Sequence, residues 1–281
     1  MSEIISGKEL SKKIRKELKE EVKSLKEKGI NPKLAVIMVG DDAGSQVYVR
    51  NKSKACEKVG IEFEEYLFDD KLQEKELLKL IEKLNLDDSV HGILLQSPVP
   101  KHIDINKAFR TISPDKDVDG FNPINVGNLS IGEDAFISCT PYGIVKMLEE
   151  YNIETVGKKA VILGRSNIVG KPMVQCMLNK NSTVTVCHSK TQNIEEEVKK
   201  ADIVIAAIGK PKFVKKDMVK DGAVVIDVGI NRLEDGSICG DVDYDEVSKK
   251  ASYITPVPGG VGPMTIAMLL SNVVKAAKKS I

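Results

Sequence analysis

The sequence predicts an α/β protein of two domains, built largely from parallel βαβ units. Short uninterrupted apolar runs such as Ile93-Leu94-Leu95 and Val161-Ile162-Leu163 have the character of strands covered on both faces. They alternate with segments of helical period, an order that favours a parallel sheet. The chain has 281 residues, enough for about two domains, and the change of domain is expected near Thr140.

The composition narrows the function classes. Lys plus Arg is 42 and Asp plus Glu is 41, so the net charge of +1 offers no electrostatic reason to expect nucleic acid or an anionic membrane as partner. No run approaches the ~18 apolar residues needed to span a bilayer, and the N-terminus lacks the apolar core of a signal peptide. The five cysteines form no C-x-x-C pair, and the three histidines lack metal-ligand spacing. A disulfide framework and a metal site are therefore not expected, and a reducing cytosol fits best.

The first half opens with an amphipathic helix from Ser6 to Gly29, in which Leu10, Ile14, Leu18, Val22 and Leu25 recur on one face. A strand over Leu34–Val39 follows, then the loop Gly40-Asp41-Asp42-Ala43-Gly44. Ser45 is the expected N-cap of a helix ending at Gly60. Tyr48, Lys52, Ala55 and Val59 fall on one face of that helix, so Lys52 sits on an apolar stripe. An ammonium there either snorkels at the edge of the stripe or serves as a proton donor and acceptor, with Tyr48 one turn away.

A strand over Ile61–Phe68, a helix over Leu72–Leu84 and a strand over His91–Leu95 complete the βαβ pattern. Ligands of open α/β sheets bind outside the carboxyl ends of strands, and Gln96 occupies such an end, just before Ser97-Pro98-Val99-Pro100. Its amide either orients another polar group or satisfies loop backbone. His91, at the opposite end, reads as structural. Asp115, Asp117 and Asp119 alternate but lack the closing Glu of a calcium loop. They read either as loop and cap residues or as including one ligand-binding carboxylate.

In the second half, Thr140-Pro141 starts a helix through Leu148. The strand ending at Leu163 runs into Gly164-Arg165-Ser166-Asn167-Ile168-Val169-Gly170 and then a helix over Pro172–Leu178. This G-x-S-x-x-x-G turn is a relative of the dinucleotide fingerprint without being a strict match, and its N–H groups and helix start suit a phosphate. It is no nucleophile elbow, because position 168 is Ile rather than Gly. After the next strand, Thr183–Cys187, the chain reads His188-Ser189-Lys190-Thr191. No acid is present to bond two ribose hydroxyls. A hydroxyl and a cation suit a 2′-phosphate, and with Arg165 they favour NADP. Strands over Ile203–Ala206 and Ala223–Val228 end in Gly209-Lys210-Pro211 and Gly229-Ile230-Asn231, loops expected to border a cofactor. The Gly- and Pro-rich stretch Thr255–Thr265 suggests close backbone approach to a ligand, then a helix to about Lys279.

Taken together, Ser45–Lys52, His91–Gln96, Asp115–Gly120, Gly164–Gly170 and Pro256–Thr265 resemble, in order and over nearly the whole chain, the bifunctional methylenetetrahydrofolate dehydrogenase/methenyltetrahydrofolate cyclohydrolases. Two departures stand out. Ser97 replaces the usual aliphatic residue, and Asn122 stands where many bacterial members have His. The resemblance implies an N-terminal αβα catalytic and folate-binding domain over residues 1–138 and a Rossmann-like NADP-binding domain over residues 139–281, with a cleft between the two lobes. It also implies that the last helix, about residues 263–281, packs back on the N-terminal domain. By the same resemblance, Lys52 is the general base and acid of hydrolysis, Gln96 holds or tunes it, Tyr48 stacks on or bonds the folate, and Asp119 bonds the pterin ring. Pro258, Gly259, Gly260 and Val261 would line the folate site, while Gly164, Arg165, Ser166, Ser189 and Ile230 would contact NADP. The implied partners are tetrahydrofolate derivatives and a second copy of the chain, as a homodimer. Two other readings share parts of this pattern. An amino-acid or shikimate-type dehydrogenase shares the cofactor half but does not account for Tyr48 and Lys52 with Gln96. A non-catalytic nucleotide-binding module predicts cofactor binding without turnover.

Overall fold

A computed structural model describes residues 2–280. In chain order the elements are β1 (Glu3–Ile4), α1 (Gly7–Glu27), β2 (Lys33–Val39), α2 (Ala43–Val59), β3 (Glu62–Phe68), α3 (Glu74–Leu86), β4 (Gly92–Leu95), α4 (Ile105–Thr111), α5 (Pro123–Ile131), α6 (Cys139–Glu150), β5 (Lys159–Leu163), α7 (Gly170–Asn179), β6 (Thr183–Cys187), α8 (Ile194–Lys199), β7 (Ile203–Ala206), β8 (Val224–Asp227), β9 (Asn231–Arg232), β10 (Ile238–Cys239), α9 (Tyr244–Val247), β11 (Tyr253–Ile254) and α10 (Val261–Lys279). They fall into two compact units. One comprises residues 2–12 and 138–265, the other residues 13–137 and 266–280. No helix among the described residues is long and apolar enough to cross a membrane.

The unit of residues 13–137 and 266–280 holds a parallel three-stranded sheet in the order β3-β2-β4. The central strand β2 is almost wholly buried, as its unbroken Leu34–Val39 run requires. In strand β3, exposed Glu65 and Leu67 alternate with the more sheltered Glu64, Tyr66 and Phe68, which fits an edge strand with one wetter face. Ala35, Ile37 and Val39 of β2 pack with Ile93 and Leu95 of β4 and with Leu77, Ile81 and Leu84 of α3. Of the stripe predicted in α1, Leu10, Leu18, Val22 and Leu25 are buried and Ile14 is half-buried.

The other unit is organised on a six-stranded, all-parallel sheet in the order β1-β11-β8-β7-β5-β6. From β5 the chain steps to β6 on one side and then to β7 on the other, so the strand order reverses beside β5. That is the switch point at which open α/β sheets bind ligands. Val161, Leu163, Val204, Ala206 and Val225 form the buried face against Val198, Met218, Val219 and Val247.

Three local expectations are corrected. Ser45 is not the cap of α2. The helix begins at Ala43, and the Asp42 carboxylate accepts the Ser45 N–H at 2.7 Å, since an Asp three residues before a free N–H caps as well as a Ser. The buried face of α2 runs through Ser45, Val49, Ala55, Cys56 and Val59, so Tyr48 lies at its rim, 49% exposed, instead of on the buried stripe. Helix α6 starts at Cys139, which places Pro141 third in the first turn, where no intrahelical donor is required. Helices α4, α5 and α8 and strands β1 and β11 had no clear periodic signal, being two to nine residues long.

Candidate active site

The predicted residues form two groups, one in each unit. In the unit of residues 13–137 and 266–280, β4 delivers Gln96 at its carboxyl end, with the Gln96 N–H donating to the Ile37 carbonyl at 2.8 Å. Helix α2 delivers Lys52 to the same point. The Lys52 Nζ donates to Gln96 Oε1 at 2.8 Å, and Gln96 Nε2 donates to the Ser97 carbonyl at 2.7 Å. The Ser45 hydroxyl also donates to the Ser97 carbonyl, at 3.3 Å, tying α2 to the loop after β4. One turn beyond Lys52, Cys56 is fully buried, and burial pushes its thiol up to about 12 against the pull of the Lys52 charge. The lysine therefore stands on an apolar, un-ionised floor, half-buried, with a neutral amide as partner.

That partner matters chemically. An amide oxygen accepts a hydrogen bond from either an ammonium or a neutral amine, so Gln96 orients the nitrogen in both states. It adds no counter-charge that would retain the proton. The pair can thus hold a proton, release it and keep its geometry. Tyr48, one turn earlier and exposed, presents an aromatic ring and a hydroxyl from the same helix.

Asp119 lies in the Asp115–Gly120 loop, which Asp117 organises. Asp117 pairs with Ile93 of β4 as a parallel bridge, and its carboxylate accepts Phe121 N–H at 3.1 Å, Asn122 N–H at 2.8 Å and Asn125 Nδ2 at 2.9 Å. Burial pushes its carboxyl up to about 6 despite these donors. The bridge sets the segment alongside β4, running toward the end that carries Gln96. From α10, Asn272 Nδ2 donates to the Val118 carbonyl at 2.8 Å, fixing the residue before Asp119. Asn122 caps α5 through the Ile124 N–H and donates to the Ile112 carbonyl, both at 2.8 Å, so its amide is internally satisfied. His91 is structural. Its Nδ1 accepts the Lys33 N–H at 3.2 Å, and burial lowers its basicity.

The second group lies at the carboxyl ends of β5 to β8. Gly164 has φ of +117°, its N–H donates to the Cys187 carbonyl, and a Cβ there would stand 2.2 Å from the Ala207 carbonyl oxygen. A Cβ at Gly170 would stand 2.4 Å from the Gly164 oxygen, so glycine at both ends lets α7 start against the strand end. The Ser166 hydroxyl accepts the N–H groups of Val169 at 3.2 Å and Gly170 at 3.3 Å, holding the turn before the helix. Leu163 and Cys187 are register partners, so Arg165 and the His188–Thr191 loop leave neighbouring strands at the same end. Arg165, Ser189 and Lys190 are exposed there, and the loop is braced by the Thr191 hydroxyl, which accepts the His188 N–H at 2.9 Å. A tight glycine turn running into a helix start, two exposed cations and no local carboxylate fit a phosphorylated dinucleotide.

Two buried carboxylates in this unit were not anticipated. Asp227 and Asp241 lie beneath the loops after β7 and β8, and burial raises the Asp227 carboxyl to about 6. The tight glycines Gly229 and Gly240, whose Cβ atoms would strike these carboxylates, were the available signal. Pro258, Gly259, Gly260 and Val261 follow β11. The Lys8 N–H donates to the Gly259 carbonyl at 2.9 Å, Gly260 and Val261 are buried, and Pro258 is exposed. Among the described residues no group of three or more His, Cys, Asp or Glu side chains is placed to hold a metal.

A parallel sheet with a glycine turn at its switch point, joined in one chain to a unit carrying a paired lysine, defines a nucleotide-dependent α/β enzyme. The family description "Tetrahydrofolate dehydrogenase/cyclohydrolase, catalytic domain" matches residues 5–119, and "Tetrahydrofolate dehydrogenase/cyclohydrolase, NAD(P)-binding domain" matches residues 138–281. The chain belongs to the tetrahydrofolate dehydrogenase/cyclohydrolase family. It is 55% identical over 278 residues to the bifunctional protein FolD of Bacillus subtilis, covering 99% of this chain and 98% of the relative. The crystal structure of the bifunctional FolD enzyme from Campylobacter jejuni superposes with a TM-score of 0.99 at 54% identity, covering all of both chains. The Trypanosoma brucei FolD, solved with NADP cofactor and an inhibitor, superposes with a TM-score of 0.94 at 38% identity, covering 99% of this chain and 98% of that one.

Proposed function

We propose that this chain oxidises 5,10-methylenetetrahydrofolate to 5,10-methenyltetrahydrofolate with NADP, then hydrolyses that product to 10-formyltetrahydrofolate. Family membership supports both activities over a shikimate-type dehydrogenase or a non-catalytic module. The observation that carries the hydrolytic half is the Lys52–Gln96 hydrogen bond at the end of β4.

In the first reaction the methylene carbon gives up a hydride and becomes a cation shared by two ring nitrogens, so the step chiefly needs alignment. Bound NADP supplies the acceptor for that hydride. The chain's part is to hold it. Gly164 and Ser166 shape the turn, Arg165 and Ser189 meet the 2′-phosphate, and Ile230, exposed after β8, offers an apolar contact. In the second reaction water adds to the methenyl carbon as the Lys52 amine takes its proton. The bond from that carbon to N5 then breaks as the new hydroxyl loses its proton to solvent and becomes the formyl carbonyl, and Lys52 returns its proton to the departing nitrogen, leaving the formyl group on N10. Gln96 keeps Lys52 directed through both transfers. Tyr48 stacks on or bonds the folate, Asp119 bonds the pterin ring, and Pro258 to Val261 contact the folate.

The proposed division of labour assigns catalysis and most of the folate site to residues 1–138 and NADP binding to residues 139–281, whose Pro258–Val261 stretch also meets the folate. A homodimer and a cytosolic location accompany the reading. The five cysteines, none of them in a disulfide and four of them buried, are compatible with a reducing compartment. One assay tests the whole. Given methylenetetrahydrofolate and NADP, methenyl absorbance rises and then decays faster than the uncatalysed rate. NADP binding without any folate turnover overturns the proposal.

A further inference from the structure

The two loops expected to border the cofactor converge on a single carboxylate. Asp241 is wholly buried. Its Oδ2 accepts the N–H groups of Ile208 at 2.7 Å and Gly209 at 2.9 Å, and its Oδ1 accepts the N–H of Lys210 and the Asn231 Nδ2, both at 2.9 Å. Three consecutive amides of the loop after β7 and the side chain that ends the Gly229-Ile230-Asn231 loop after β8 thus share one anchor. Asp227, the last residue of β8, supports it from below. It accepts the Gly229 and Asp241 N–H groups on Oδ1 and the Val242 N–H on Oδ2, all at 2.9 Å. Its own N–H donates to the Thr255 hydroxyl at 2.7 Å, at the start of the loop that runs to Val261.

The packing leaves no slack. A Cβ on Gly229 would lie 2.3 Å from Asp241 Oδ1, and one on Gly240 would lie 1.8 Å from Asp227 Oδ2. Ile230 is held on both flanks, through the Gly229 amide and the Asn231 side chain, yet is itself 57% exposed. Burying two carboxylates is costly, and backbone donors directed at the ionised form offset it. That arrangement immobilises three exposed residues, Gly209, Lys210 and Ile230, at the carboxyl ends of neighbouring strands.

We propose that Asp241 is a positioning residue for the dehydrogenase reaction: it sets the loops after β7 and β8 against the bound dinucleotide without touching it. The proposal rests on the reading of the cofactor site given above. An amide has one acceptor oxygen and would turn its N–H groups toward the amides that Asp241 now receives. Asp241→Asn is therefore expected to weaken NADP binding, followed by fluorescence titration, by about 10- to 100-fold, the scale of lost charge-assisted hydrogen bonds. The Michaelis constant for NADP rises in step. Hydrolysis of methenyltetrahydrofolate supplied directly depends on Lys52 and stays within about twofold of wild type. Asn231→Ala removes one contact and keeps Asp241 intact. It is expected to weaken NADP a few-fold, again without loss of hydrolysis.

Arg165→Ala separates the two levels of inference. If Arg165→Ala weakens NADP while Asp241→Asn and Asn231→Ala do not, the positioning role is wrong and the cofactor site stands. If Arg165→Ala has no effect, the placement of the cofactor itself is wrong. Parallel loss of both activities in Asp241→Asn, with normal NADP affinity in Asn231→Ala, makes Asp241 a folding residue and also overturns the proposal.

Discussion

Lys52 Nζ donates a 2.8 Å hydrogen bond to Gln96 Oε1 across a sequence separation of 44 residues. The contact joins the face of α2 to the carboxyl end of β4, giving the lysine a partner that is polar but uncharged. Under the proposed mechanism a proton leaves or returns to Lys52 with no ion pair to break first.

Replacing Lys52 with Met removes the proton carrier and keeps the length of the apolar stem. Hydrolysis of methenyltetrahydrofolate should fall by about 10²- to 10⁴-fold, the range of general acid–base contributions. NADP affinity should be unchanged. Ring opening at the wild-type rate, after subtraction of background, would show that Lys52 does not manage the proton.

Gln96→Glu keeps the shape and adds the charge that the native pair avoids. A carboxylate at this distance raises the affinity of Lys52 for its proton, by about 1 to 3 pH units for close opposite charges. The acid limb of the pH–rate profile for hydrolysis should move to higher pH. An unmoved limb with a merely lower plateau would mean that Gln96 acts on substrate placement and not on Lys52.

Arg165→Ala should weaken NADP by about 10- to 100-fold, as expected for a lost bond between charged groups. NAD, which lacks the 2′-phosphate, should be affected far less. Comparable losses for the two cofactors would remove the 2′-phosphate from the explanation.

Two glycine substitutions should act in opposite directions. At Gly170 a Cβ meets the Gly164 oxygen at 2.4 Å, and overpacking of this kind costs about 1–3 kcal/mol. Gly170→Ala should lower thermal stability without cofactor and weaken NADP as well. At Gly127, inside α5, a Cβ meets nothing within 4 Å, so Gly127→Ala should stabilise by about 0.5–1 kcal/mol. Equal melting behaviour for the two variants would contradict the packing seen at the turn.

The pH dependence of stability carries the mark of Asp117. Burial lifts its carboxyl from the ordinary 3.8 to about 6 in the folded chain. Between those values the native state binds more protons than the unfolded state, so this group's contribution falls as pH rises through the window. The slope approaches about −1.4 kcal/mol per pH unit for one proton. Denaturant titrations of Asp117→Asn between pH 4 and 6 should show a shallower decline than wild type. A parallel pair of curves would mean that Asp117 ionises at its ordinary pH when folded.

Much of this could be read before folding was considered. The stripe of α1, the buried runs of β2, β4 and β5 and the strand limits Thr183–Cys187 and Ile203–Ala206 follow from periodicity, because each element reports its own burial. Lys52 stood out as a charge among apolar neighbours, and Gly164 to Gly170 as a turn with no side-chain bulk at its ends. The shift of the α2 cap from Ser45 to Asp42 shows where local reading blurs, since either residue type serves and the choice depends on how the loop enters the helix.

The sequence by itself determined the fold class, the order of most elements and which residue types stand at strand ends, because backbone preference and hydrophobic period act over a few residues. The tertiary structure alone decided that β1 joins a sheet made otherwise by the second half of the chain, since two residues pair only when the edge of β11 is in place. It alone brought Gln96 to Lys52 and gathered the amides of 208–210 onto Asp241. Those contacts join segments dozens of residues apart, and a carboxylate or amide becomes a partner only once folding has removed the water that would otherwise satisfy it.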